Sequence, residues 1–127
     1  MFDEEAPKIY GLDSINRKFP IYVVEGPFDS NFVSNSVALC GSDGDLECLE
    51  TCDLIYVYDN EPRNKEIVSR IERCIRDDKR VVIWPNNIRE KDINDMVLEG
   101  HKIMPILEDN TYSGLEANVQ FNIWKKV

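Results

Sequence analysis

This 127-residue chain has no apolar run near the ~20 residues that a membrane-spanning helix needs. Its start, Met1-Phe2-Asp3-Glu4-Glu5, lacks the basic residues that open a secretory signal. Both absences lead to the expectation of a cytoplasmic protein. Positive charge is scarce: 15 Lys and Arg stand against 24 Asp and Glu, for a net charge of -9. That balance argues against a large electrostatic footprint on nucleic acid, since phosphate binding needs clustered cations. Any such contact must be weak, cation-dependent or completed by basic parts elsewhere. The sequence has no internal repeat and no low-complexity stretch. Its single histidine, His101, follows Gly100 in an expected turn, exposed and without a partner. Four cysteines stand at Cys40, Cys48, Cys52 and Cys74. Cys48 and Cys52 are one helical turn apart, but no second pair and no nearby His completes a zinc set. Free thiols in a reduced core are expected.

What is present is the composition of one globular domain, 43% hydrophobic and 31% charged. After a polar lead-in over 1–20, with Pro7, Gly11 and Pro20, strand and helix patterns alternate. Ile21-Tyr22-Val23-Val24 reads as a buried strand, followed by a short helix opened by Pro27 and carrying Phe28, Phe32 and Val33. A second strand is expected over 37–40, closed by the 41–44 turn, with Asp45 capping a helix that holds Leu46 and Leu49. Residues 54–58 are the clearest strand. Pro62 suits the first turn of a helix with Ile67, Ile71, Cys74 and Ile75 at helical spacing. Strand 81–84, a short helix from about Asp92, and an edge strand over 103–107 containing Pro105 follow. Ser113 with Glu116 suggests a capping box, and Leu115, Val119 and Ile123 suggest the inward face of a last helix. Connections of this length point to a mainly parallel sheet covered on both faces.

Three of these strands run straight into acids. Glu25-Gly26-Pro27-Phe28-Asp29 follows the first, Asp59-Asn60-Glu61 follows 54–58, and Lys91-Asp92-Ile93-Asn94-Asp95 lies beyond 81–84. Each cluster alone has an ordinary explanation: a solvated strand end, a helix cap, or a first-turn acid. Asp29, Asp43 and Asp45 read as caps and turn residues on that basis. The conjunction is more informative, because a parallel sheet gathers its carboxyl ends along one edge, where open α/β sheets bind ligands. Carboxylates gathered there repel unless a cation neutralises them, and hard oxygen donors suit Mg²⁺ or Mn²⁺. Arg63, Lys65, Arg89 and Lys91 flank the second and third clusters and suit phosphate. Lys79 and Arg80, at the opposite end of a strand, read as surface charge.

These segments together resemble the TOPRIM domain, the catalytic module shared by DnaG-type primases, type IA and type II topoisomerases and some nucleases. That family places a Glu-Gly after its first strand, an Asp-x-Asp after a later strand, and a further acidic motif. Residues 21–29, 54–63 and 91–97 match in that order and spacing, and the resemblance covers about residues 20–107. The Glu25–Asp29 and Lys91–Asp95 motifs are most similar to those of primases of T4-type bacteriophages. In two places the chain departs from the pattern. Glu61 stands where the family has its second Asp, and the third motif offers Asp92, Asn94 and Asp95 as alternative ligands.

The resemblance implies an α/β, TOPRIM (Rossmann-like) fold: a mainly parallel sheet of four to five strands with helices on both faces. It implies a catalytic domain over 21–107, after the 1–20 lead-in and before a helical segment over 108–127. The implied activity is metal-dependent nucleotidyl transfer by a DNA primase making RNA primers. Mg²⁺ or Mn²⁺ would be held by Asp59, Glu61 and Asp92, with Asp95 and Glu25 as further candidates. Glu25 is alternatively the general base or acid toward the 3′-hydroxyl. Arg63, Lys65 and Lys91 would meet nucleotide phosphates. Implied partners are single-stranded DNA template, nucleoside triphosphates, other primase domains and the replicative helicase, in the host-cell cytoplasm and away from membrane. A complete primase of this type also has a zinc-binding domain and a basic subdomain, so the expectation is a domain of a longer protein. The rivals are a TOPRIM nuclease, a topoisomerase module, or a non-catalytic TOPRIM-fold assembly domain.

Overall fold

The computed structural model describes residues 15–38 and 52–127. Among them five strands form one sheet: β1 (Ile21–Val24), β2 (Ser36–Ala38), β3 (Leu54–Tyr56), β4 (Arg80–Val82) and β5 (Thr111–Tyr112). Their order is β2-β1-β3-β4-β5. β1 pairs in parallel with β2 and β3, and β3 with β4, while β5 closes the edge antiparallel to β4. The expected α/β class and mainly parallel sheet are what form. β1 is buried along its whole length, as a central strand covered on both faces must be.

Five helices join the strands: α1 (Pro27–Ser30), α2 (Lys65–Arg76), α3 (Ile93–Leu98), α4 (Ile103–Asp109) and α5 (Gly114–Trp124). α2 and α5 pack on each other and on β4, while α1 packs on β1, β2 and α3, and α3 on α4. In α2 the buried residues Ile67, Val68, Ile71 and Cys74 follow the 3.6-residue period. Its outer face carries the ion pairs Arg70–Glu66 at 2.8 Å and Arg76–Glu72 at 3.0 Å. The helix starts later than Pro62. Asn64 is the cap, its Oδ1 accepting from the N–H groups of Glu66 (3.0 Å) and Ile67 (3.2 Å), which satisfies two donors at once.

Four further expectations need correction. Residues 103–107 are helical, not an edge strand: Ile103 and Leu107 are buried one turn apart. Pro105 falls in the first turn of α4, where its missing N–H costs nothing. The true fifth strand is β5, only two residues long. In α5, Ser113 occupies the cap position but makes no side-chain cap bond, so the Ser113–Glu116 box does not form. The buried face is Ala117, Phe121 and Trp124, whereas Leu115, Val119 and Ile123 are 79%, 50% and 58% exposed. The two sets are offset by two residues, roughly 200° around a helix, and the helix turns its larger aromatic area inward. Lastly, α1 is a single turn, beyond which Val33 is buried and Phe32 is 37% exposed.

Cys74 is buried and Cys52 partly so, both as free thiols. The expectations for Cys40, Cys48, the 41–44 turn, the helix after Asp45 and most of the lead-in lie outside the described residues. Among the described residues no helix is long and apolar enough to cross a membrane.

Candidate metal centre at the carboxyl edge

β1 ends at Val24, so Glu25 is the first residue beyond the sheet. One of its oxygens, Oε1, is buried without a hydrogen-bond partner, while the Asp59 backbone N–H reaches its carboxylate. Burial raises the Glu25 pKa, opposed by the Arg70 charge and reinforced by Asp29 and Glu61. An unpartnered buried carboxylate oxygen is costly, and its natural complement is a cation. Gly26 is less special than its motif suggests. Its φ is not positive, and an added Cβ would meet only Asp29 Oδ2, at an ordinary 3.8 Å.

Asp59 stands two residues beyond Val57, whose N–H bonds Val23 O at 2.8 Å and so keeps this chain beside β1. Burial, then the charges of Glu25, Asp29, Asp92 and Glu61, pushes its carboxyl up to about 7. Four acids from three strand ends thus act on a fifth. Asp29, expected to be a simple turn residue, is one of them. Its pKa is raised by burial and by Asp92, and its carboxylate takes hydrogen bonds from the backbone of Asn94 and Gly26. The signal that could have found it is the four-residue spacing from Glu25, which spans the single turn of α1.

Asp92 is indeed the cap of α3, its Oδ1 accepting from Asp95 N at 2.8 Å, yet it also faces Asp29 and Asp59. Asp95 lies exposed in the first turn of α3 and is not among the principal charges acting on Asp59. Glu61 Oε1 is 3.6 Å from Lys91 Nζ. Arg63 and Lys65 are exposed and make no ion pair among the described residues. His101 is not the isolated residue expected. Gly100, at φ 90°, ends α3, and His101 N–H closes on Met96 O at 3.0 Å, a Schellman-type cap. The His101 ring meets Glu90 Oε1 at 2.5 Å.

Oxygen-only donors and an orphaned buried carboxylate fit a hard divalent cation in chemistry. In geometry the acids are neighbours rather than a finished shell: among the described residues no group of three or more His, Cys, Asp or Glu is placed to hold an ion. Side-chain rotation would have to close the set.

The fold and this edge together define the class: a Rossmann-like α/β domain with an acidic cluster at the carboxyl ends of its parallel strands. No family model matches the chain. It is 35% identical, over 97% of its own length, to the DNA primase of Enterobacteria phage T4, and spans 37% of that relative. The chain is thus similar to one part of a DNA primase.

Proposed function

We propose that this chain is the divalent-cation-binding catalytic domain of a phage-type DNA primase, with the TOPRIM arrangement of acids. One observation carries the reading: Glu25, Asp29, Asp59, Glu61 and Asp92, from three separate strand ends, act on one another at a single edge, with a buried Glu25 oxygen left unpartnered. A pair of divalent ions about 3.5–4 Å apart would supply Lewis-acid activation of an α-phosphate and stabilisation of the leaving pyrophosphate. Asp59, Glu61, Asp92 and Glu25 would hold Mg²⁺ or Mn²⁺, Asp29 adds a fifth carboxylate beside them, and Asp95 is the outlying candidate. The Glu25 carboxyl, its pKa raised by burial, is alternatively suited to take or return a proton at a 3′-hydroxyl. Lys91, Arg63 and Lys65 present cations beside the acids and would meet triphosphate oxygens. The substrates proposed are nucleoside triphosphates on a single-stranded DNA template, with other primase domains and a replicative helicase as partners in the host cytoplasm.

Mn²⁺ titration of this chain, followed by the loss of the free-ion paramagnetic resonance signal, tests the reading. Saturable binding that weakens in Asp59→Asn supports it. Its absence, with the protein folded, favours a non-catalytic assembly domain. In a complete primase carrying this domain, nucleic-acid cleavage with Mg²⁺ and no nucleotides would favour the nuclease rival.

A further inference from the structure

We propose that Asn60 and Trp124 form a positioning clasp for the acidic edge. The pair holds Asp59 and Glu61 against the turn that carries Asp92, and so sets how tightly the site takes a divalent cation. This presupposes the cation site proposed above.

Asn60 lies between two candidate ligands, yet every polar group of its side chain is spent within the protein. Nδ2 donates to Ile88 O at 3.0 Å and Glu90 O at 3.1 Å, and Oδ1 accepts from Trp124 Nε1 at 2.9 Å. The Asn60 backbone N–H donates to Lys91 O at 2.6 Å. One residue thus binds the second acidic motif to the 88–91 segment just before Asp92, and to the last residue of α5. The same turn is tied twice more: Trp84 Nε1 donates to Tyr58 O at 2.8 Å, and Lys126 N to Pro62 O at 2.8 Å. Both tryptophans of the chain therefore fix the one turn that carries Asp59 and Glu61.

Asparagine is the residue this position needs. Two donors must meet two carbonyls while an acceptor meets an indole N–H. An aspartate would offer no donor and would turn a carboxylate on both carbonyls. Trp124 is 5% exposed, so its N–H requires a partner in any case. What marks the contact as more than a satisfied indole is its address: 64 residues away in sequence, the partner sits between two acids of the site. Side chains that orient ligating groups change metal affinity typically by 10–100-fold when removed.

The test is Trp124→Phe, which keeps a buried ring but deletes the donor. The readout is the Mn²⁺ dissociation constant of the 127-residue chain, beside its Tm. Ile21→Val, a core substitution at the opposite, amino end of β1, is the control. The expected result is an Mn²⁺ affinity about tenfold weaker in Trp124→Phe, with affinity unchanged in Ile21→Val although its Tm falls. Asn60→Ser, read the same way, serves should Trp124→Phe fail to fold, and is expected to weaken binding at least as much. Equal affinity in the wild type and the folded variant, or equal weakening in Ile21→Val, overturns the clasp and leaves the metal reading standing. No saturable binding in the wild type removes the metal reading itself, and the clasp with it.

Discussion

The two ends of the parallel sheet solve opposite problems. At the amino end the polar groups are matched. Asp53 pairs with the Arg80 guanidinium. The Asn35 amide donates to Asn16 O (3.0 Å) and Pro20 O (2.8 Å) while accepting from Asn16 N (2.6 Å). At the carboxyl end five acids crowd together, one buried oxygen has no partner, and Asp59 holds its proton up to about 7. A fold selected for stability alone would not concentrate like charge on half-buried positions, because each costs desolvation and repulsion. The amino end therefore shows what this chain does with polar groups when structure is the only demand. The carboxyl end shows tolerated electrostatic cost, the usual mark of a functional site.

The largest effect is expected where the contrast is sharpest. In a complete primase carrying this domain, Glu25→Gln or Asp59→Asn should lower primer synthesis by at least about a hundredfold, measured by incorporation of labelled nucleotide. The isolated domain should move the other way. Asp59→Asn removes one of the crowded charges and should raise the ion-free Tm by a few degrees, after allowance for solvent screening. A Tm lowered by that substitution would show that the Asp59 charge is compensated and the crowding harmless.

At the matched end, Asn35→Ala should destabilise by about 2 kcal/mol, read from urea unfolding. It loses the hydrogen bonds to Asn16 and Pro20 and leaves alanine at φ 52°, a left-handed conformation that costs roughly 1–2 kcal/mol without glycine or asparagine. Asn35→Gly should recover the backbone part, about 1 kcal/mol. Equal losses in the two variants would assign the whole effect to the side-chain bonds.

How much of this was legible in the sequence follows from what each signal depends on. β1, β3 and β4 and the helices α2 and α3 were readable because β-branched runs and 3.6-residue periods are local. That Glu25, Asp59 and Asp92 meet at one edge was legible as well, since acids following strand-like runs are a local pattern. That Asp29 stands beside Asp92 and Asp59 was not legible, because it depends on α3 packing against α1. The inward face of α5 was misread because Leu115, Val119 and Ile123 have the right period. The choice between two apolar stripes rests on tertiary contacts, the buried aromatic area and the bond from Trp124 to Asn60, 64 residues away, among them. Residues 103–107 failed for a related reason: Pro105 in a short apolar run fits an edge strand or a first helical turn equally, and only tertiary packing decides.

The carboxyl end should also answer to pH. The folded-state pKa of Asp59, about 7, lies above its ordinary value near 3.8. Those of Glu25 and Asp29 are raised as well, mainly by burial. Between these limits the folded protein binds more protons than the unfolded chain, so stability from these groups is full at low pH and is lost as pH rises through about 7. The Tm of the protein in a chelator should therefore fall from pH 5 to pH 8, and Mg²⁺ or Mn²⁺ should reverse most of the fall by taking the proton's place. Asp59→Asn should flatten the slope, and a slope unchanged in that variant would remove Asp59 as its source.

The smallest effect belongs to the Asp53–Arg80 pair. It joins neighbouring strands at the amino edge, with its side chains 48% and 40% exposed. Solvent screens such a pair, and holding two long side chains together costs rotamer freedom, so exposed pairs contribute about 0–1 kcal/mol. The main-chain bond from Ile21 N to Asp53 O, at 2.8 Å, does not depend on the side chain. Asp53→Ala should thus cost at most about 1 kcal/mol, less in high salt, with Mn²⁺ binding at the far end unchanged. A larger loss, or one insensitive to salt, would mean that the amino end is strained too, and that electrostatic cost is not confined to the edge carrying the acids.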